Sequence, residues 1–177
     1  MDALAGPVVV VCALLALAGV MKIARPAATV GALRAMRLPA SSALVRVLGV
    51  CELVLSIAAV ATFARALLVI VAAAYLAFAA FVVAALQADT PLQSCGCFGQ
   101  ADTPPSAVHV CLNLLSAGTM FAAALSATPG LDVIVPAQPW TAVPFILLVA
   151  ICTYLCVTIL TVLPMTSTRM YRSDASL

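Results

Sequence analysis

The sequence predicts an all-α polytopic membrane protein: a bundle of four transmembrane helices followed by a fifth near the C-terminus. Three observations carry this. Of the 177 residues, 66% are hydrophobic and 8% charged, with a mean hydropathy of +1.24, against roughly 25% charged in an ordinary soluble domain. A soluble domain of this size could not cover such a chain with polar surface. The apolar residues also fall in blocks long enough to cross a bilayer, which takes about 20 helical residues. Finally, the blocks do not alternate apolar and polar residues, so barrel strands, the other way to satisfy a backbone in lipid, do not fit.

Each block can be justified in order. The first covers residues 7–23, with Pro7 acceptable in a first helical turn. No basic residue precedes Lys22, whereas a secretory signal begins with a basic region, so this block reads as a retained helix. The second and third cover residues 43–63 and 66–87. The turn at Arg65 is so short that these two must run as an antiparallel hairpin. Small residues at four-residue spacing, Ala73/Ala77 and Ala80/Ala84, would let backbones approach closely and leave oligomerisation open. The fourth block covers residues 107–128, after Pro104 and Pro105. The fifth covers residues 143–163, with Pro144 in its first turn and Pro164 just past its end. Residues 1–128 thus form a four-helix domain. Residues 129–177 add a loop with Asp132 and Trp140, the fifth helix and a short basic tail.

The stretch from Lys22 to Ser42 carries Lys22, Arg25, Arg34 and Arg37 with Val30, Leu33 and Met36 between them, a spacing that suits a short amphipathic helix in the membrane interface. With five spans, this stretch and the tail bearing Arg169 and Arg172 fall on one side, which the positive-inside rule makes cytoplasmic. A net charge of +2, with no basic residues interleaved with aromatics, gives no case for nucleic acid. The partners to expect are lipid and protein.

The strongest chemical signal is Cys95 and Cys97 in the string Ser94-Cys95-Gly96-Cys97-Phe98-Gly99-Gln100. Gly96 permits a tight bend, and Phe98 could anchor the loop at the membrane surface. A disulfide needs Cα atoms about 4.4–6.8 Å apart, which one intervening residue allows only with strain. Strained, accessible disulfides are the reducible ones, and the N-terminal dipole of the following helix favours thiolate. Redox use is the leading reading, beside two idle thiols or half a metal site. Zinc wants four ligands, and only His109 and Asp102 lie nearby, so no metal is assigned. Cys12, Cys51, Cys111, Cys152 and Cys156 read as small hydrophobes of the core.

Glu52 falls mid-block, where a carboxylate is expensive and normally has a partner. Arg46, six residues away, shares its helix face poorly; Lys22, at the end of the first block, is the expected partner. The pair can serve as a structural tie or handle protons. His109, the single histidine, shares a helix face with Asn113 and could pass protons or favour a thiolate at Cys95 or Cys97, or could do nothing.

Together, Gly19-Val20-Met21-Lys22-Ile23, Glu52, and Cys95-Gly96-Cys97-Phe98-Gly99 before the fourth helix resemble the MauE family of methylamine-utilisation membrane proteins, part of the wider DoxX-like group of four-helix membrane proteins. The resemblance covers about residues 4–127; the fifth block lies outside it. It implies a role beside a thioredoxin-like, MauD-like partner in maturing a disulfide-rich periplasmic dehydrogenase. Cys95 and Cys97 would then be the catalytic pair, supported by Lys22, Glu52, Gly96, Phe98, Gly99, His109 and Asn113. Such a role wants the cysteine loop outside the cytoplasm, where disulfides persist, in conflict with the charge rule; the chemistry favours the outward loop. The expected function is a membrane-embedded thiol–disulfide redox protein, with a quinone as a conceivable electron acceptor although no quinone-binding motif is visible. The rivals are a non-catalytic scaffold and a small transporter using Glu52 and Lys22.

Overall fold

The computed structural model of the chain describes residues 4–88, 105–126 and 142–174, with the backbone alone at residue 142 and residues 162–174. Its elements are helices: α1 (Ala5–Ala24), α2 (Pro26–Ala35), α3 (Ser42–Thr62), α4 (Arg65–Gln87), α5 (Ala107–Ser126) and α6 (Ala142–Asp174). Five are long and apolar enough to span a bilayer: α1, α3, α4, α5 and the stretch Val143–Thr161 of α6. The apolar side chains Val47, Val50, Val54 and Ile57 on α3, and Ile146, Leu147 and Leu148 on α6, are exposed. They are stable there because the medium around them is lipid.

The short helix expected between the first two spans is α2. Pro26 opens it, where a missing N–H costs nothing. It closes with Arg37 in the left-handed region (φ 56°), the Arg37 and Leu38 amides donating to Arg34 and Leu33 carbonyls at 2.9 Å. Val30 and Ala32 are buried, while Arg25, Arg34 and Arg37 are exposed, the division an interfacial helix requires. Ser41 then caps α3, its hydroxyl accepting from the Leu44 amide at 3.1 Å.

The helices pair in an order different from the chain. α1 packs chiefly on α3, and α4 on α5. α3 and α4 are joined through Phe63 and Ala64 alone, yet they touch little, so the expected hairpin exists as a connection more than as a contact. Phe63 turns the chain at a φ of 47°. That conformation costs a non-glycine residue roughly 1–2 kcal/mol, and here it places the ring in the core, where it is buried. Ala73, Ala77, Ala80 and Ala84 lie on an exposed face of α4. Burial on α4 falls instead to Leu68, Val71, Ala72, Tyr75, Ala79, Val82 and Ala85.

The two ends of the bundle differ. The end at the Phe63 turn holds the main apolar core, with Val8 and Val11 of α1, Ala59 of α3, Leu68 and Val71 of α4, and Met120 of α5. At the opposite end, Ala32 of α2 packs against Ala85 of α4, flanked by Met36 and Phe81. α2 therefore sits at the end of the bundle where α4 ends and α5 begins. α6 rests mainly on α1, with more than half of its described side chains exposed, a peripheral addition to the four-helix body. It also continues beyond the expected end at residue 163, through Pro164 to Asp174. A proline there forfeits one backbone bond, at about 3 kcal/mol, and does not oblige an established helix to stop.

Candidate functional site

Lys22 and Glu52 form one bidentate ion pair between α1 and α3. The Lys22 ammonium donates to both Glu52 carboxylate oxygens, at 2.8 and 2.7 Å, and the residues are 5% and 4% exposed. What lets the helices come close enough is glycine on each side. A Cβ on Gly19 would stand 2.6 Å from the Gly49 carbonyl oxygen and 3.3 Å from Glu52 Cβ; one on Gly49 would stand 2.6 Å from the Gly19 carbonyl oxygen and 3.1 Å from Lys22 Cβ. Each charged residue thus sits three positions after the glycine that makes room for its partner.

Surrounding groups fix the pair. The Lys22 ammonium lies 5.0 Å from the centre of the Phe78 ring, close enough for a cation–π attraction. Phe78 meets Tyr75 edge to face, at 6.0 Å and 82°. The Tyr75 hydroxyl donates to the Val11 carbonyl at 2.7 Å, tying α4 to α1 in mid-membrane. One turn along α3, the Ser56 hydroxyl donates back to the Glu52 carbonyl at 2.7 Å. Arg46, by contrast, is exposed and no part of this arrangement.

His109 belongs to the same end. It is 2% exposed and stands three residues after Ser106 at the start of α5. Its amide donates to the Ser106 carbonyl at 3.0 Å, and its Nδ1 is 2.9 Å from the Ser106 hydroxyl. Lys22, Tyr75, His109 and Asn113 all line a cavity of about 320 Å³ between α1, α2, α4 and α5, together with Thr29, Ser116 and a majority of apolar side chains. The structure thus brings Lys22, His109 and Asn113 to one space, with Glu52 behind Lys22. The remaining candidates, Cys95, Gly96, Cys97, Phe98 and Gly99, lie outside the described residues, as do Asp102, Asp132 and Trp140.

The other cysteines are free thiols. Cys12 is buried in the core, but Cys51 and Cys111 are exposed and Cys152 and Cys156 half-buried. The expectation that all five pack the core is corrected for Cys51 and Cys111. On a membrane helix the outer face is as apolar as the interior, so a small hydrophobe has no reason to prefer one. Among the described residues, no three His, Cys, Asp or Glu side chains are grouped as a metal ion would need.

Four contributors escaped the sequence reading: Gly49, Phe78, Tyr75 and Ser106. The paired glycine-x-x-charge spacing of Gly19/Lys22 and Gly49/Glu52 was a usable signal for the first. Nothing local distinguishes Phe78 or Tyr75 from other aromatics in an apolar block.

No curated relative and no solved structure matches the chain. The family model of methylamine utilisation protein MauE matches residues 2–129, the stretch that holds Lys22, Glu52, the two cysteines of the loop and His109, and so the chain belongs to the MauE family of membrane proteins.

Proposed function

We propose that the chain is the membrane component of a thiol–disulfide relay serving methylamine utilisation, with Cys95 and Cys97 as its exchanging pair and a thioredoxin-like protein as its partner. The observation that carries this reading is the family match across residues 2–129, which includes the Cys95-Gly96-Cys97 string. In the exchange, a thiolate of one protein attacks a disulfide sulfur of the other, a mixed disulfide forms, and the second cysteine resolves it, moving two electrons per cycle. The Lys22–Glu52 pair supports the reading as framework: it locks α1 to α3 on the half of the bundle where α4 ends and α5 begins. The transporter reading draws no such support, because Lys22 and Glu52 occupy each other and the adjoining cavity is walled mainly by apolar groups.

The test is to trap the intermediate. Cys95→Ser or Cys97→Ser should accumulate a covalent complex with the thioredoxin-like partner, seen on a non-reducing gel and dissolved by reductant. If the Cys95/Cys97→Ser double variant restores a deletion strain fully, the chain is a scaffold whose cysteines are structural or idle.

A further inference from the structure

We infer that the cavity between α1, α2, α4 and α5 binds a quinone, with His109 as its hydrogen-bonding partner. The first ground is His109 itself. Its Nδ1 is engaged by Ser106, whereas its Nε2 is buried and has no partner, one of two such side-chain atoms among the described residues. A buried polar atom left unpaired costs about 1–3 kcal/mol, so this nitrogen is poised for something that enters the cavity its residue lines.

The second ground is charge. Lys22 would draw an anion such as a fatty acid or lipid phosphate, but both oxygens of Glu52 already neutralise it. A cation would have to displace Lys22 from Glu52. The site therefore favours a neutral molecule. The third ground is the wall: Leu14, Leu15, Ala18, Phe78, Phe81 and Leu112 present apolar and aromatic surface that suits a ring. Leu48 and Ala77, which also border the cavity, are exposed on the outer face of the bundle, so a ligand dissolved in the membrane can enter from the side.

The Ser106–His109 contact then selects among neutral ligands. A serine hydroxyl both donates and accepts. With the hydroxyl donating to Nδ1, Nε2 carries the proton and can donate to a quinone carbonyl. With Nδ1 protonated and donating to the hydroxyl, Nε2 accepts from a quinol O–H. The same two residues can thus serve either state of the ligand, whereas an acyl chain would leave Nε2 unpaired. The further role as electron acceptor rests on the relay proposed above: oxidising a dithiol to a disulfide releases two electrons and two protons, the number that converts a quinone to its quinol.

Because His109 is the single histidine of the chain, one imidazole reports on the site. The chain, purified through a histidine-free tag, labelled with ¹⁵N-histidine and placed in phosphatidylcholine nanodiscs, should show its imidazole resonances shift saturably with decylubiquinone and stay unmoved by decane. The Cys95/Cys97→Ser double variant should bind equally well, so a failed relay and a failed site are told apart. His109→Leu should weaken decylubiquinone binding about tenfold or more in equilibrium dialysis. Imidazole resonances that ignore decylubiquinone, or that respond equally to decane, would overturn the proposal, as would His109→Leu binding with native affinity. If His109→Leu does not fold, the resonance titration of the native chain decides alone.

Discussion

Gly19 and Gly49 face each other so closely across α1 and α3 that a methyl group on either would stand 2.6 Å from the other's carbonyl oxygen. Such a contact gives way only if the two backbones separate. Separation would pull Lys22 from Glu52, because each side chain lies beside the opposite glycine. Gly49→Ala should therefore destabilise the bundle by about 1–3 kcal/mol, as overpacking does. Gly31 provides the contrast: a Cβ there meets nothing within 4 Å, on an exposed face of α2. Gly31→Ala should be neutral or stabilising by up to about 1 kcal/mol. Unfolding midpoints of both variants in one detergent check this; equal midpoints would remove the glycine contact from the argument.

The ion pair makes a prediction of its own. Removing one member strands a charge in a low-dielectric interior, so Lys22→Ala and Glu52→Ala should each cost about 3–5 kcal/mol. Glu52→Gln should be milder, because the amide oxygen still accepts from the ammonium. The double variant Lys22→Met/Glu52→Leu should recover most of the stability, since replacing a buried pair by apolar groups of similar volume is often neutral. Thermal unfolding reads the stability, and exchange with the proposed partner reads the proposed function. A structural tie leaves Glu52→Gln near native in exchange. Loss of exchange in a Glu52→Gln chain that melts normally would instead assign the carboxylate to proton handling.

How much of this was legible beforehand follows from where the information sits. Span positions are set by block length and solvent, so α1, α3, α4 and α5 and the interfacial α2 could be read from residues alone. Glu52 was conspicuous because one carboxylate in an apolar block demands a partner, and few cations stand within reach. The pairing of α1 with α3 and of α4 with α5 was not legible. In lipid every helix face is apolar, so periodicity does not reveal which face meets a neighbour. That is why Ala73 and Ala77, though suitably spaced, lie exposed while Gly19 and Gly49 make a close approach between α1 and α3. The fifth block was legible as the span Val143–Thr161, but the helix's continuation through Pro164 to Asp174 was not, since a proline's lost backbone bond does not oblige a helix to stop.

The same indifference of faces exposes two thiols to lipid. Cys51 on α3 and Cys111 on α5 are exposed, whereas Cys12 is 1% exposed in the core. In a Cys95/Cys97→Ser background, a lipid-soluble pyrene maleimide should modify Cys51 and Cys111 in the folded protein and reach Cys12 only after denaturation. Mass spectrometry of the labelled peptides checks the order. Labelling of Cys12 at the rate of Cys51 would mean that α1 is not packed as the structure has it.

The last prediction concerns sidedness, where two physical rules disagree. Four basic residues between Lys22 and Arg37 argue that their end of the bundle is cytoplasmic. The proposed thiol–disulfide exchange argues that residues 89–104 face outward. These cannot be reconciled by placing the two segments on different sides, because Ala32 of α2 packs against Ala85 near the end of α4, from which the cysteine loop departs. Whatever side α2 occupies, the end of α4 shares. Lys22 contributes nothing to the charge rule, since Glu52 neutralises it within the bundle. That leaves Arg25, Arg34 and Arg37, all exposed, within or beside an interfacial helix that can hold lipid phosphates on either face. With the charge rule so weakened, the chemistry decides, and both segments should face out. In cells carrying a chain whose other cysteines are replaced, a membrane-impermeant maleimide should label reduced Cys95 and Cys97, and an introduced Arg37→Cys, without lysis. Labelling of all three only after lysis would keep the packing and sink the periplasmic partner. Labelling of the loop and α2 from opposite sides would instead contradict the packing of α2 against α4.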